Sequence, residues 1–139
     1  MLHLTRLLRY LWAAPNTAIG LALALLVTLF GARWQVERGA IEVAGGAVGR
    51  LIARARAFSA ITLGHVILAV DRSALRDLRN HEHVHVQQYE RWGPLFLPAY
   101  LASSLLQWLR GRDPYRENHF ERQAFAATST PRLPHEETT

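Results

Sequence analysis

The chain has 139 residues, of which half are hydrophobic and only 19% are charged. This length suits one compact domain and is short for two. The 16 basic residues outnumber the 11 acidic ones, which gives a net charge of +5. No basic run alternates with aromatic residues as in a groove for single-stranded nucleic acid, so we expect no nucleic-acid partner, whereas an anionic lipid surface suits the charge. Because cysteine is absent, disulfides, thiolate metal sites and cysteine nucleophiles are excluded.

An apolar segment without charged side chains occupies residues 10–32. Its length predicts a helix that crosses a membrane or lies on it, and arginines flank it on both sides. Two other interpretations stay open. One is a secretory signal peptide, and the other is a helix buried in the core that begins near Pro15 and Asn16. We therefore assign residues 1–33 to a membrane-associated N-terminal helix and expect membrane lipid as a partner.

Short β-strands are predicted between residues 35 and 70. Residues 41–43 alternate like a half-buried strand, and a short basic amphipathic link follows at residues 50–56. Residues 58–70, FSAITLGHVILAV, give the strongest strand pattern, with Gly64 in the middle, where a bulge or a close backbone approach is common. These segments predict a small antiparallel or mixed sheet.

A helix is predicted over residues 74–92. Ser73 is a plausible N-cap, Gly93 fits the position just after the last turn, and Pro94 prevents continuation.

A second uncharged segment spans residues 92–109, and its residues 100–109 are predicted to be helical. It could form a core helix or lie with the N-terminal segment on a bilayer. Another short helix is predicted at residues 118–127. We assign residues 34–127 to one domain and expect residues 128–139 to be a disordered tail.

The helix predicted over residues 74–92 carries the pattern H-E-x-x-H at His81, Glu82 and His85. On a helix the two histidines lie on one face and can share a metal ion, while Glu82 lies beside that face and can accept a proton from a metal-bound water. The histidines continue the inward face that begins with Leu75 and Leu78. In a chain without thiols, imidazole nitrogens are the best neutral ligands for zinc. The alternative is a helix face that is rich in histidine by chance.

A third ligand would complete such a site. Glu117 and Glu121 offer carboxylates one helical turn apart, and His119 is a rival. Glu121 could instead form a surface ion pair with a neighbouring arginine. His83 points away from the two ligand candidates, so we interpret it as a supporting or exposed residue rather than a ligand.

Two motifs resemble those of the gluzincin group of metallopeptidases. One is H-E-x-x-H at residues 81–85, with Gln88 beyond it, and the other is N-x-x-E-x-x-A at residues 118–124. The chain is also similar to small uncharacterised bacterial membrane-associated proteins, in which T-L-G-H-V-I, here residues 62–67, precedes H-E-x-x-H-V-x-Q. Those proteins have proline where His119 stands.

The resemblance implies a ligand set, a reaction and a location. His81, His85 and Glu121 would bind zinc, and Glu82 would be the general base in the hydrolysis of a peptide bond by zinc-activated water. The strand that ends at Val70 would be the edge strand along which a peptide substrate lies. The location implied is the inner membrane of a bacterium.

The expected fold is α+β. It has a small β-sheet packed on the H-E-x-x-H helix, a second ligand-bearing helix, and an apolar N-terminal helix that is transmembrane or membrane-associated. The expected function is that of a membrane-associated zinc metallopeptidase acting on a peptide or protein substrate, with Tyr89 and Tyr115 as candidate donors to the transition state. One alternative is a non-catalytic zinc-binding membrane protein that uses the gluzincin core as a structural or regulatory module. Another is a membrane-surface scaffold without a metal.

Overall fold

The computed structural model describes residues 2–129 as a mixed α+β structure with an apolar N-terminal helix and a small four-stranded sheet. The elements follow in the order α1 (Leu2–Thr28), β1 (Arg33–Glu37), β2 (Ala40–Ala44), α2 (Gly46–Ala55), β3 (Ala60–Leu63), β4 (Val66–Ala69), α3 (Arg72–Trp92), α4 (Phe96–Leu109) and α5 (His119–Thr128). A 3-10 turn, Gly93–Leu95, joins α3 to α4. Most of the tail predicted to be disordered, residues 130–139, lies outside the described residues, and Thr128 ends α5.

The sheet is mixed, with strand order β1-β2-β4-β3. Strands β1 and β2 pair antiparallel, β2 and β4 pair parallel, and β4 and β3 pair antiparallel. Strands β1 and β3 are therefore the two edges of the sheet. The single strand predicted to end at Val70 is two strands in the structure. Its second half, β4, lies inside the sheet, so the prediction of an edge is wrong there, whereas its first half, β3, is an edge strand.

Gly64 divides the segment that was predicted as one long strand. It has φ +62° and forms the turn between β3 and β4, a conformation that glycine adopts without steric cost. A Cβ atom added there would lie 2.2 Å from Thr17 Oγ1. The glycine therefore allows both the turn and its close contact with α1.

The core-helix interpretation required a helix that begins near Pro15, but α1 runs through this residue. One face is buried and presents Ala13, Asn16, Gly20 and Ala24 to the domain at intervals of three or four residues. A Cβ atom on Gly20 would lie 2.7 Å from Val66 Cβ. The helix is long and apolar enough to cross a membrane, and only 22% of its most apolar window is buried.

Helix α3 begins at Arg72, because Asp71 and not the predicted Ser73 caps it. Asp71 Oδ1 accepts a hydrogen bond of 2.8 Å from the Ala74 amide. The helix ends at Trp92 as predicted. Helix α4 starts four residues earlier than predicted, and Pro98 fits into its first turn, where no amide donor is needed.

Alternate residues of the central strands belong to two different buried clusters. Ile67 of β4 lies in one cluster with Leu75 and Val86 of α3. Its neighbour Val66 lies in another cluster, with Ala24 of α1. This alternation follows from the two-residue period of a strand.

Candidate metal centre

Two histidines of α3 and one glutamate of α5 converge in the interior. His81, His85 and Glu121 are only 7%, 7% and 3% exposed. His81 Nε2 lies 3.2 Å from His85 Nε2 and 2.9 Å from Glu121 Oε2, and His85 Nε2 lies 3.4 Å from Glu121 Oε1. Ligand atoms bound tetrahedrally at ~2.0–2.1 Å from zinc are separated by about 3.3 Å. This buried group could therefore hold a metal ion.

Asn118 sets the position of Glu121. As the N-cap of α5, its side chain accepts a hydrogen bond of 2.9 Å from the Phe120 amide. Its own amide group donates to the Tyr100 carbonyl at 3.0 Å and to Ser104 Oγ at 2.7 Å, both in α4. Because Asn118 is fully buried, these bonds fix the first turn of α5 against α4 and direct Glu121 towards α3.

The other two third-ligand candidates lie outside the group. Glu117 precedes α5 and is half-buried, and it does not belong to the cluster formed by the described residues. His119 is exposed, and its Nε2 lies 3.1 Å from Gln123 Nε2. The described ion pairs of Glu121 are with the two imidazoles rather than with a neighbouring arginine.

The group is electrostatically coupled in the absence of a metal. Burial raises the pKa of Glu121, but hydrogen bonds from His81, His85 and Tyr100 outweigh it and lower the pKa to about 2. Burial lowers the pKa of His85, but hydrogen bonding and charge attraction from Glu121 outweigh it, so the pKa of His85 is raised. A proton can therefore occupy the place between imidazole and carboxylate that a cation would fill.

Gln88 determines which nitrogen of His85 faces Glu121. The Gln88 amide nitrogen donates to the Phe120 carbonyl and to Gln123 Oε1, both at 3.1 Å. Its Oε1 atom therefore faces His85 Nδ1, at 2.8 Å. Because this oxygen can only accept, Nδ1 carries the hydrogen, and Nε2 is left as the nitrogen that can bind a metal.

Glu82 lies beside the group and is hydrogen-bonded to Thr62. It is 6% exposed, and its Oε2 atom accepts a hydrogen bond of 2.7 Å from Thr62 Oγ1. Thr62 belongs to edge strand β3. The edge of the sheet and the glutamate of the H-E-x-x-H pattern are thus directly connected.

Tyr100 is a site residue that the sequence did not identify. Its hydroxyl donates to Glu121 Oε1 at 2.7 Å. Burial and the Glu121 carboxylate both raise the pKa of Tyr100. Of the two tyrosines proposed as donors, Tyr115 lines the cleft beside the group, and burial raises its pKa to about 12. The hydroxyl of Tyr89 is buried and has no hydrogen-bond partner among residues 2–129.

His83 faces away from the group, as predicted, but it is not exposed. It is 8% exposed, and its Nε2 atom lies 3.4 Å from Glu42 Oε1. Glu42 is fully buried in β2 and is held by Arg79 through two contacts of 2.9 Å. Burial raises the pKa of Glu42, but the hydrogen bonds from Arg79 and its other partners outweigh it, so the pKa is lowered. His83 therefore supports the contact between α3 and the sheet.

A cleft of about 280 Å³ opens beside the group. Glu82, His85 and Glu121 contribute its charged and metal-binding side chains, and the remainder is mostly apolar or aromatic. Residues of the edge strand β3, including Ala60 and Ile61, line the same cleft. A molecule bound in the cleft would thus contact His85 and Glu121 of the group, Glu82 and a sheet edge at once.

Comparison with protein-family models, with curated proteins and with solved structures found no significant match to this chain.

Proposed function

We propose that this protein is a membrane-associated zinc metallopeptidase of the gluzincin type, which hydrolyses peptide bonds with a zinc-activated water. The observation that carries the proposal is the convergence of His81, His85 and Glu121, with Glu82 held beside them by Thr62. A buried ion pair alone would not need a second carboxylate that lines the cleft.

The donor set favours zinc. Two imidazole nitrogens and one carboxylate oxygen, in a chain without cysteine, match the ligands of catalytic zinc sites, which leave a fourth position open. When bound, zinc would lower the pKa of a coordinated water to about 7 and polarise the carbonyl of a substrate.

The other roles in the proposed reaction belong to side chains of this protein. Glu82 accepts a proton from the attacking water and passes it to the leaving amine. This is the usual role of a general base that lies within hydrogen-bond distance of the water. Thr62 holds one carboxylate oxygen of Glu82, which leaves the other for this proton. Tyr100 holds Glu121. Tyr115 also lines the cleft, and we assign it the role of donor to the reacting carbonyl.

The substrate we propose is an extended, mainly apolar peptide segment. Strand β3 is an edge of the sheet, and its residues line the cleft. An extended peptide can add to such an edge through main-chain hydrogen bonds. The sheet also packs against α3, because Ile67 and Leu75 belong to one buried cluster. This packing fixes the position of the H-E-x-x-H pattern relative to the edge strand.

The first experiment measures the metal content of purified protein by elemental mass spectrometry. We expect about one zinc per chain in the native protein, and its loss in His85→Ala and in Glu121→Ala. The matched control is Glu117→Ala, which removes a nearby carboxylate outside the group and should retain zinc. Native protein without zinc after reconstitution would exclude the proposal.

A second experiment separates catalysis from metal binding. Glu82→Gln should retain zinc and lose hydrolysis of a mixed peptide library. Thr62→Val should retain zinc and reduce kcat by about 10–100-fold with little change in KM, since a hydrogen bond to a charged group contributes roughly 1.5–3 kcal/mol. If the native protein binds zinc but cleaves no peptide, the non-catalytic zinc module becomes the better description.

A further inference from the structure

Helix α1 is attached to the domain along most of its length. Near its start, the Tyr10 hydroxyl donates to the Gly39 carbonyl at 2.8 Å. In the middle, Asn16 Nδ2 donates to the Gly93 carbonyl at 3.0 Å. At its end, the Trp34 indole donates to the Thr28 hydroxyl. The helix is therefore a part of the domain and not a separate anchor.

This attachment conflicts with a spanning orientation. If α1 crossed the bilayer, it would carry the adjoining sheet into the hydrocarbon region. Strand β1 is an open edge of that sheet, and its residue Val36 is 74% exposed. Open sheet edges do not occur in lipid, because their backbone amide and carbonyl groups would lack partners.

The outward face of α1 is nevertheless apolar from one end to the other. Leu4, Leu11 and Leu25 are 61%, 61% and 62% exposed, on the side opposite to the buried face that contains Ala13. No charged side chain occurs between residues 10 and 32. An exposed apolar face of this length marks a surface that is covered by a partner or a membrane.

The first three turns of α1 are amphipathic. Leu4, Leu8 and Leu11 share the outward face, whereas Arg6 and Arg9 lie on the domain side by helical spacing. Arg9 Nη1 lies 3.8 Å from a Glu90 carboxylate oxygen, which confirms its side. Leucines on one face and arginines on the other are typical of helices that lie in the plane of a membrane surface.

A basic cleft of about 520 Å³ adjoins this end of α1. Arg9, Arg38 and Arg91 line it, and among residues 2–129 the one acidic residue in its lining is Glu90. If the leucine face enters the acyl region, these guanidinium groups come to the level of the headgroups. Their positive charge complements the phosphates of anionic lipids.

We propose that α1 docks in the plane of an anionic bilayer, with its apolar outward face in the lipid and both of its ends on the same side of the membrane. The occupant of this face is thus the bilayer and not a second copy of the chain. The inference rests on the membrane association proposed above, but it is independent of peptidase activity.

The absence of cysteine makes a topology experiment direct. The variants His3→Cys and Val36→Cys place one thiol before and one after the apolar part of α1. Both are labelled with a membrane-impermeant maleimide, in intact and in permeabilised host cells. We expect the two positions to be labelled alike, in intact cells and in permeabilised cells. Leu51→Cys, at a 67% exposed position of α2, is the reference that shows on which side of the membrane the domain lies.

Opposite responses of the two positions would show a spanning helix and overturn the in-plane orientation, while leaving membrane association intact. Protein found entirely in the soluble fraction would overturn both. If Leu11→Cys formed a dimer in the absence of a membrane, and its thiol could not be labelled in that dimer, a second copy of the chain would be the occupant of this face. That result would overturn the proposal.

Vesicle flotation tests the lipid class. We expect purified protein to bind vesicles that contain phosphatidylglycerol and to bind pure phosphatidylcholine vesicles more weakly. Arg6→Gln and Arg9→Gln should each weaken binding to the anionic vesicles by about fivefold. The matched control is Arg76→Gln, on the exposed side of α3, which should have little effect. Equal binding to both vesicles would overturn the role of anionic lipid.

Discussion

The side chain of Gln88 shows how a single residue outside the candidate metal group can fix the tautomer of a histidine within it. It holds Nδ1 of His85 at 2.8 Å and is itself held by the Phe120 carbonyl of α5. The amide therefore fixes both the tautomer and the ring orientation of His85. Groups that orient a metal-binding histidine commonly affect metal affinity by about 10–100-fold.

We therefore expect Gln88→Leu to lower zinc affinity by about 10–100-fold while the fold is retained. Competition with a fluorescent chelator measures the change. Gln87→Leu is the matched control, because Gln87 is the exposed neighbour and should leave the affinity unchanged. Equal affinities in the two variants would show that Gln88 does not orient His85.

The raised pKa of His85 predicts opposite effects of pH with and without zinc. Its raised value stabilises the metal-free fold fully below the unfolded pKa of about 6.5, and this stabilisation is lost as pH rises through the folded value. Metal and proton compete for the same nitrogen, so zinc affinity should increase over the same range. Thermal unfolding from pH 5 to 9, with chelator and with zinc, measures both. Parallel pH profiles in the two conditions would contradict the assignment.

At the scale of elements, local sequence patterns predicted the structural features that depend on residues close together in the chain. The spacing of Leu75, Leu78, His81 and His85 predicted α3 and its inward face, and both histidines are buried. The N-cap was misplaced, because Asp71 and Ser73 are both good caps and only the observed backbone distinguishes them. The hairpin formed by β3 and β4 was predicted as one strand, because the apolar pattern of the sequence continues across the turn.

The cap assignment gives a direct test. Asp71→Ala should destabilise the protein by about 1 kcal/mol, which lowers Tm by about 3–5 °C. Ser73→Ala, the variant that the sequence alone would have selected, should change Tm by much less. The two melting temperatures are compared by circular dichroism, and a larger loss in Ser73→Ala would refute the observed cap.

Contacts between distant elements were beyond the reach of local patterns. Thr62 is 20 residues from Glu82, and Tyr100 is 21 residues from Glu121. No spacing rule connects such pairs, because they depend on how β3 and α4 pack. Glu121 was predicted as the third ligand only through resemblance to a motif, with Glu117 and His119 as open alternatives. The structure brings Glu121, and neither alternative, into the buried group with the two histidines.

At the scale of the whole molecule, the candidate centre connects side chains of three helices. His81 and His85 come from α3, Glu121 comes from α5, and Tyr100 links Glu121 to α4. A metal that binds only the folded chain stabilises it in proportion to the logarithm of its free concentration.

Zinc should therefore raise the stability of the native protein by about 2.7 kcal/mol when its free concentration is 100 times Kd. Calorimetry at buffered zinc concentrations measures the shift in Tm. His85→Ala should show no shift, and Glu117→Ala should respond like the native protein. A shift of equal size in His85→Ala would place the stabilising metal elsewhere.

The order of the ligands along the chain has a consequence for biosynthesis. Glu121 follows His81 by 40 residues and belongs to the last described helix. A nascent chain thus displays the two histidines well before the ribosome has made the carboxylate that completes the set, and domains fold as units during synthesis. Until α5 emerges and docks, His81 and His85 lack the carboxylate that completes the candidate group. A metal that needs all three side chains could therefore bind only after α5 has been made and has packed against α3.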